Sequence, residues 1–95
     1  MRELAGKTAF VTGGAAGIGL ALGRAFAQSG MKVMLADIET EALQAAVKRL
    51  QEISPDIRGT LCDVAAAESV ERAAQAAFDA FGNVHVVCNL SLIHI

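Results

Sequence analysis

A glycine-rich stretch near the amino terminus is the part of this sequence best suited to bind a charged ligand. It runs from Thr12 to Gly19 as TGGAAGIG, between the apolar run 8–11 and a helical pattern, so we predict a strand–turn–helix corner. Glycine has no Cβ, so it allows positive φ and lets a ligand approach the backbone closely. The amide N–H groups and the positive dipole end of the following helix then favour an anion, and a pyrophosphate fits best.

An acidic residue lies at the distance that a dinucleotide site requires. Such a site needs a strand before the glycines, a helix after them and a carboxylate about 20 positions further on. Asp37 ends the apolar run 32–36 and meets this condition. Its carboxylate can accept hydrogen bonds from ribose hydroxyls. The alternatives are a glycine-rich connector without a ligand and, for Asp37, an exposed polar residue at a strand end.

The composition argues against several other classes of function. The 95 residues are 54% hydrophobic with a net charge of −2, so one small domain is expected, without a basic surface for nucleic acid. No apolar run approaches the roughly 18 residues that cross a membrane, and the first residues lack a signal-peptide core. Cys62 and Cys88 lack metal-ligand spacing and are expected to be buried, reduced thiols. We therefore expect a cytoplasmic protein without nucleic-acid or membrane partners.

Alternating strand and helix patterns supply the frame for these residues. Strands are predicted at 7–12, 32–37, 57–61 and 84–88, with a helix in each interval. The order βαβαβαβ implies a doubly wound, Rossmann-type parallel α/β sheet with helices on both faces. Thr40 is the predicted N-cap of the second helix, and the glycine pair Gly19 and Gly23 would let the first helix lie close to the sheet.

The apolar positions of each helical interval predict which face is buried. The three faces comprise Ile18, Leu22, Ala25, Phe26 and Ser29; then Leu43, Ala46, Val47 and Leu50; and finally Val70, Ala74, Ala77 and Phe81.

Three polar residues are predicted at the carboxyl ends of strands beside the glycine corner. They are Asp37, Asp63 and Asn89. Open α/β sheets bind their ligands at this edge, where the strand order reverses, so the three residues and the turn together predict a site. Asp63 has an alternative role as a cap of the following helix. A single histidine within a strand, His85, is expected to be a packed or half-exposed side chain rather than a catalyst.

These motifs resemble those of the N-terminal half of a classical short-chain dehydrogenase/reductase. The resemblance runs from about Leu4 to Asn89 and rests on the TGxxxGIG spacing, Asp37, the pair Asp63–Val64 and the segment FGNVHVVCN at 81–89. It implies the strand order 3-2-1-4. It also implies that Asp37 holds the adenosine ribose, that Asp63 and Val64 flank the adenine and that Asn89 lines the cofactor cleft. The residues that would hold the pyrophosphate are Gly13, Ala15, Ala16, Gly17, Ile18 and Gly19.

Charge near Asp37 favours NAD over NADP as the cofactor. A 2′-phosphate beside this carboxylate would meet like charge at about 4 Å, which costs on the order of 4 kcal/mol at an effective dielectric constant near 20. Family members that use NADP often carry a basic residue before the second motif glycine or just after the second strand. This sequence has Ala16 and Ile38 there.

The resemblance implies an oxidoreductase that interconverts an alcohol and a ketone or aldehyde. The family's catalytic Ser and its Tyr-x-x-x-Lys pair belong further along the chain, and the 95 residues contain no Tyr.

 The activity that the resemblance implies therefore belongs to a longer parent protein, which is expected to be a homo-oligomer. We expect the 95-residue polypeptide by itself to be inactive, poorly soluble and able to bind NAD weakly or not at all.

The last six residues depart from the family pattern. After Asn89 the family's N-N-A-G motif is expected, but residues 90–95 are LSLIHI, which one reading frame of a common transposon-end sequencing adapter would encode. We therefore expect residues 1–89 to be the first half of a dinucleotide-binding domain and 90–95 to be a non-native tail. A genuine, divergent short protein is the alternative.

Two other functions remain open at this point. Methyltransferases that use S-adenosylmethionine also place a glycine turn after the first strand and acidic residues after the second and third. Their turn typically begins with an acidic residue where this sequence has Thr12, and it lacks the G-I-G ending. A non-catalytic dinucleotide-binding module, which needs no Tyr, is the other alternative.

Overall fold

The computed structural model describes residues 5–13, 15–63 and 65–89, without the side chain of Asn89. The predicted tail at 90–95 and the predicted adenine contact Val64 lie outside the described residues. The elements in chain order are β1 (Thr8–Thr12), α1 (Gly17–Gln28), β2 (Lys32–Asp37), α2 (Thr40–Gln51), β3 (Ile57–Leu61), α3 (Ala67–Phe81) and β4 (Val86–Asn89). The four strands form one parallel sheet in the order β3-β2-β1-β4, which confirms the predicted topology.

The register of the sheet brings the carboxyl ends of its strands to one edge. Thr12, the last residue of β1, lies opposite Ala36 of β2 on one side and Asn89 of β4 on the other. Asp37 lies opposite Leu61 of β3. The predicted site residues at these strand ends therefore share the edge on which the β1–α1 turn lies.

Helices cover both faces of the sheet, which explains why β1 and β2 are almost continuously apolar. Successive strand residues point to opposite faces, so each strand contributes to two cores. The core beneath α1 and α2 contains Val11, Ala15, Ala27, Val33, Leu35, Leu43, Ala46, Leu50 and Ile57. The core beneath α3 contains Phe10, Met34, Ala36, Cys62, Ala73 and Ala77.

The predicted buried face of α1 is wrong in part. Ile18 is 72% exposed and Ala25 is also exposed. The buried residues of α1 are instead Gly19, Gly23 and Ala27. A Cβ at Gly23 would lie 2.8 Å from Leu35 Cδ2 and 3.2 Å from Leu50 Cδ1, so the helix approaches the sheet through residues with little or no side chain. The predicted close approach at Gly23 is confirmed, although hydropathy wrongly placed Ile18 and Ala25 on the buried face.

The other helices follow their predictions more closely. Leu43, Ala46 and Leu50 of α2 are buried as expected. The N-cap of α2 is Glu39 and Thr40 is its first helical residue, so the predicted cap is wrong by one position. The backbone N–H of Glu39 is held by the carboxylate of Asp37, which starts the helix earlier than the residue types indicate.

The remaining boundaries differ little from the predicted ones. α3 ends at Gly82, whose φ of 88° is in the left-handed region that favours glycine. β4 begins at Val86 rather than at Val84, and Val84 packs against the core beneath α3.

Candidate functional site

The turn between β1 and α1 has a backbone that requires glycine at two positions. Gly13 has φ 68° and Gly17 has φ 59°, which are values that residues with a Cβ rarely adopt. A Cβ placed on Gly17 would meet nothing within 4 Å, so the space beside it is open. The turn therefore has both the conformation and the access that a ligand bound against the backbone needs.

The start of α1 is suited to an anion. Ala16 is the N-cap residue and makes no side-chain hydrogen bond to the helix, and the first turn carries no acidic residue. The first N–H groups of a helix have no partner within the helix and form the positive end of its dipole. A phosphate group at this position would accept hydrogen bonds from these N–H groups without meeting an opposing carboxylate of the same turn.

Asp37 lies directly against the glycine turn. This half-buried residue accepts a hydrogen bond at Oδ2 from the backbone N–H of Ala15, with a distance of 3.0 Å. Its Oδ1 accepts a second hydrogen bond from the N–H of Glu39 at 3.1 Å. The structure thus brings together two of the predicted site residues that are 22 positions apart in the sequence.

Asp63, two residues after the end of the neighbouring strand β3, is bonded to its own loop and to the first turn of α3. Its Oδ1 accepts a hydrogen bond from the N–H of Ala65 at 3.0 Å, and its own N–H donates to Ser69 Oγ at 2.8 Å. The N-cap of α3 is Ala66, so the alternative role of Asp63 as the helix cap is wrong. Its predicted contact with adenine stays a prediction.

Cys62 precedes Asp63 and is buried, as expected from the sequence. Burial raises the pKa of its thiol, and the negative charges of Asp63 and Asp37 raise that pKa further, whereas a hydrogen bond with Ser69 lowers it. This environment keeps the thiol protonated and makes it a poor nucleophile. Cys88 is also a free thiol, but it is only half buried. The prediction that it is a buried thiol is therefore confirmed only in part.

His85 lies at the opposite edge of the sheet from the glycine turn. Its Nδ1 accepts a hydrogen bond from the backbone N–H of Thr8 at 3.1 Å. The backbone N–H of His85 donates to the backbone carbonyl of Thr8 at 2.9 Å. The imidazole is exposed and supports the beginning of β1. The expectation that it is not a catalyst stays a prediction.

Asn89 is placed by its backbone at the end of β4, opposite Thr12. The Oγ1 of Thr12 donates a hydrogen bond to the carbonyl of Cys88 at 3.3 Å, which ties the ends of these two strands together. Within the described part of the chain, no group of three or more His, Cys, Asp or Glu residues is arranged to hold a metal ion. None of the helices described is both long and apolar enough to span a membrane.

Sequence reasoning missed two backbone contacts of this edge. The bonds from Asp37 to Glu39 and from Asp63 to Ala65 each join a carboxylate to the N–H two residues later, a local pattern that aspartate often forms in turns. The preference of aspartate for this pattern could have indicated both of these hydrogen bonds from the sequence. The bond from Asp37 to Ala15 depends on the sheet, and no local signal could have shown it.

Comparison with known proteins identifies the family to which this fold belongs. The family model for short chain dehydrogenases matches residues 7–91. The chain belongs to the short-chain dehydrogenase family. Among curated relatives, a 1-deoxy-11-beta-hydroxypentalenate dehydrogenase of Streptomyces exfoliatus is 41% identical over 83 residues, which are 87% of this chain and 30% of that protein. A D-threitol dehydrogenase of Mycolicibacterium smegmatis is 40% identical over 87 residues, which are 92% of this chain and 34% of that protein.

Solved structures of short-chain dehydrogenases share the fold. One from Burkholderia phymatum, in complex with NAD, matches with a TM-score of 0.87 and 38% identity. The match covers 92% of this chain and 31% of the Burkholderia chain. A variant of actinorhodin polyketide ketoreductase with NADPH matches with a TM-score of 0.83 and 31% identity. The match covers 87% of this chain and 32% of the ketoreductase chain. The chain thus spans about a third of the length of the relatives it matches. These matches do not favour the methyltransferase alternative.

Proposed function

We propose that this chain is the dinucleotide-binding part of an NAD-dependent short-chain dehydrogenase that interconverts an alcohol and a ketone or aldehyde. The observation that carries the proposal is the position of the Asp37 carboxylate, 3.0 Å from the backbone N–H of Ala15 in the glycine turn. An anion-binding turn and a ribose-binding carboxylate in contact with each other match the adjacent diphosphate and ribose of an adenosine diphosphate group.

Each part of the cofactor has candidate residues at this edge. We assign the pyrophosphate to the turn and the start of α1, which comprise Gly13, Ala15, Ala16, Gly17, Ile18 and Gly19. Asp37 would accept hydrogen bonds from the ribose hydroxyls, Asp63 and Val64 would flank the adenine, and Asn89 would line the cleft. Ile38 and Leu61 are 58% and 56% exposed, and both lie where a bound adenine could cover their apolar surface.

The charge distribution supports NAD rather than NADP. Asp37 places a negative charge where NADP carries its 2′-phosphate, and the neighbouring Ala16 and Ile38 offer no positive charge to offset it. A repulsion of about 4 kcal/mol would correspond to about a thousandfold loss in affinity. Asp37 is half buried, so solvent screening reduces this value, and we expect NAD to bind at least about tenfold more tightly than NADP.

The residues of this chain bind and orient the cofactor, whose nicotinamide supplies or accepts the hydride. The family's proton donor is a Tyr assisted by a Lys, and these 95 residues contain no Tyr. We therefore propose that the 95-residue chain by itself does not complete the reaction. We also propose a cytoplasmic location, since the free thiols of Cys62 and Cys88 suit a reducing compartment. A homo-oligomeric parent protein is proposed from the family resemblance.

Calorimetric titration of the whole protein that carries this chain tests the proposal. NAD should bind with at least about tenfold higher affinity than NADP. Asp37→Asn should reduce the ratio of the NAD affinity to the NADP affinity, because it removes the negative charge. Equal or tighter binding of NADP would contradict the cofactor preference. Binding of S-adenosylmethionine without NAD would contradict the oxidoreductase, and NAD binding without turnover of any alcohol or carbonyl compound would favour the non-catalytic module.

A further inference from the structure

The geometry points to a second role for Asp37: its carboxylate holds the glycine turn in its binding conformation before any dinucleotide arrives. In this role Asp37 is a positioning residue for the pyrophosphate end of the ligand, in addition to the contact with ribose already assigned to it. The identity of the ligand rests on the proposed function, whereas the support of the turn rests only on contacts within the protein.

The carboxylate of Asp37 joins two turns through its two oxygen atoms. Oδ2 accepts the N–H of Ala15 at 3.0 Å, in the turn after β1. Oδ1 accepts the N–H of Glu39 at 3.1 Å, in the turn after β2. Hydrogen bonds from backbone N–H groups to an ionised carboxylate are stronger than those to neutral acceptors. One side chain at the end of β2 thus sets the position of the β1–α1 turn relative to the β2–α2 turn.

Among the described residues of the β1–α1 turn, the start of α1 has no side-chain cap. Gly13 and Gly17 both have positive φ, and glycine loses more conformational freedom on folding than any other residue. A Ser, Thr, Asn or Asp at the N-cap would normally bind the first N–H groups of the helix, but Ala16 occupies this position and has no such side chain. The hydrogen bond from the buried Ala15 to Asp37 therefore ties the turn to the end of the neighbouring strand.

The two roles of Asp37 are compatible. A carboxylate has about four lone-pair sites, and the two backbone N–H groups use two of them. The remaining sites can accept the 2′- and 3′-hydroxyls of a ribose. Loss of Asp37 should therefore weaken even a ligand that carries the diphosphate but lacks both ribose hydroxyls.

Hydrogen exchange in the whole protein without ligand tests the support directly. In Asp37→Ala, the amides of Ala15 and Glu39 should exchange about tenfold faster or more, because both lose a charge-assisted acceptor. Asp63→Ala is the matched control: it should accelerate the amide of Ala65 and leave that of Ala15 unchanged. Unchanged exchange at Ala15 in Asp37→Ala would overturn the proposal.

Asp37→Asn is the second variant if Asp37→Ala fails to fold. Asn has one acceptor oxygen and one NH₂ donor, so it can hold only one of the two amides. At least one of Ala15 and Glu39 should then exchange faster than in the unmodified protein, and the proposal is overturned if neither does.

A pair of ligands separates the support of the turn from the contact with ribose. ADP and 2′,3′-dideoxy-ADP are titrated into the unmodified protein and Asp37→Ala. Removal of a negative charge by itself would strengthen the binding of an anion, so weaker binding reports the loss of turn geometry. We expect dideoxy-ADP to bind about fivefold more weakly to Asp37→Ala, and unchanged or tighter binding would overturn the proposal. If the unmodified protein binds neither NAD nor ADP, the proposed function fails, while the exchange experiment still decides the role of Asp37.

Discussion

Asp37 is the last residue of β2 and Asp63 lies just after the neighbouring strand β3, yet of the two only Asp37 contacts the glycine turn. Each accepts the N–H of the residue two positions later, Glu39 in one case and Ala65 in the other. The second oxygen of Asp37 reaches Ala15 because β2 lies beside β1, whereas β3 lies at the end of the strand order and pairs with β2. The place of a strand in the sheet, rather than the residue type at its end, thus decides which aspartate can join this turn.

Substitution at the turn itself should have the largest effect. Gly17→Ala should weaken NAD binding by about five- to thirtyfold, because the φ of 59° costs about 1–2 kcal/mol for a residue with a Cβ and the turn would relax away from it. Titration of NAD into the whole protein measures the effect.

Gly82→Ala is the matched control for this prediction. Gly82 also has positive φ, with nothing within 4 Å of a Cβ placed on it, but it ends α3 away from the turn. Both variants should lose similar stability, and only Gly17→Ala should lose affinity for NAD. Equal losses of affinity would show that strain anywhere in the domain, rather than the shape of this turn, controls binding.

Removal of each aspartate tests the contrast between the two strand ends. Asp37→Ala should lower the free energy of unfolding by about 1–2 kcal/mol, since two backbone N–H groups lose their partner near a half-buried position. Asp63→Ala should cost less than about 1 kcal/mol, since its carboxylate is exposed and its bond to Ala65 is local. Urea denaturation of the whole protein gives both values. A larger loss of unfolding free energy in Asp63→Ala than in Asp37→Ala would contradict the contrast between the two strand ends.

A positive charge placed next to Asp37 should change the cofactor preference. Ile38→Arg should improve the affinity for NADP by about tenfold, because a guanidinium can bind the 2′-phosphate that the carboxylate repels. Ile53→Arg adds the same charge at an exposed position after the end of α2 and should leave the ratio of the NADP and NAD affinities unchanged. An equal gain in both variants would mean that net charge, rather than position, sets the preference.

The smallest effect is expected at Cys62, beside Asp63. The pKa of its thiol is higher in the folded protein than its ordinary value of 9.0. As the pH rises, the unfolded state therefore loses the thiol proton at a lower pH than the folded state does. Stability from this group is complete below pH 9 and decreases, by at most about 1.4 kcal/mol per pH unit, as the pH rises towards the folded pKa.

Denaturation at pH 8 and pH 10 measures this decrease. Cys62→Ala should lose less stability than the unmodified protein over that interval, and Cys88→Ala is the matched control for the loss of a thiol. If Cys62→Ala loses as much stability as the unmodified protein, burial of this thiol does not affect the pH dependence.

The sequence was sufficient to predict the order of elements, the strand order and the edge of the sheet that carries the candidate site. It failed in part for the buried face of α1, because two of the buried residues, Gly19 and Gly23, contribute no hydrophobic side chain. It also failed for the cap of α2, since the carboxylate of Asp37 engages Glu39 and not Thr40. The bond from Asp37 to Ala15 depends on how β1 and β2 lie side by side, which residue spacing does not contain.

The central position of β1 has a consequence for the order in which the chain can fold. One neighbour, β2, follows after a single helix, whereas the contact between Thr8 and His85 spans 77 positions. Closing the longer loop costs more entropy, so pairing with β2 is favoured early and pairing with β4 late. During synthesis, the most buried strand therefore keeps one side unpaired until residues 86–89 have been made, and over that interval it is open to association with other nascent chains.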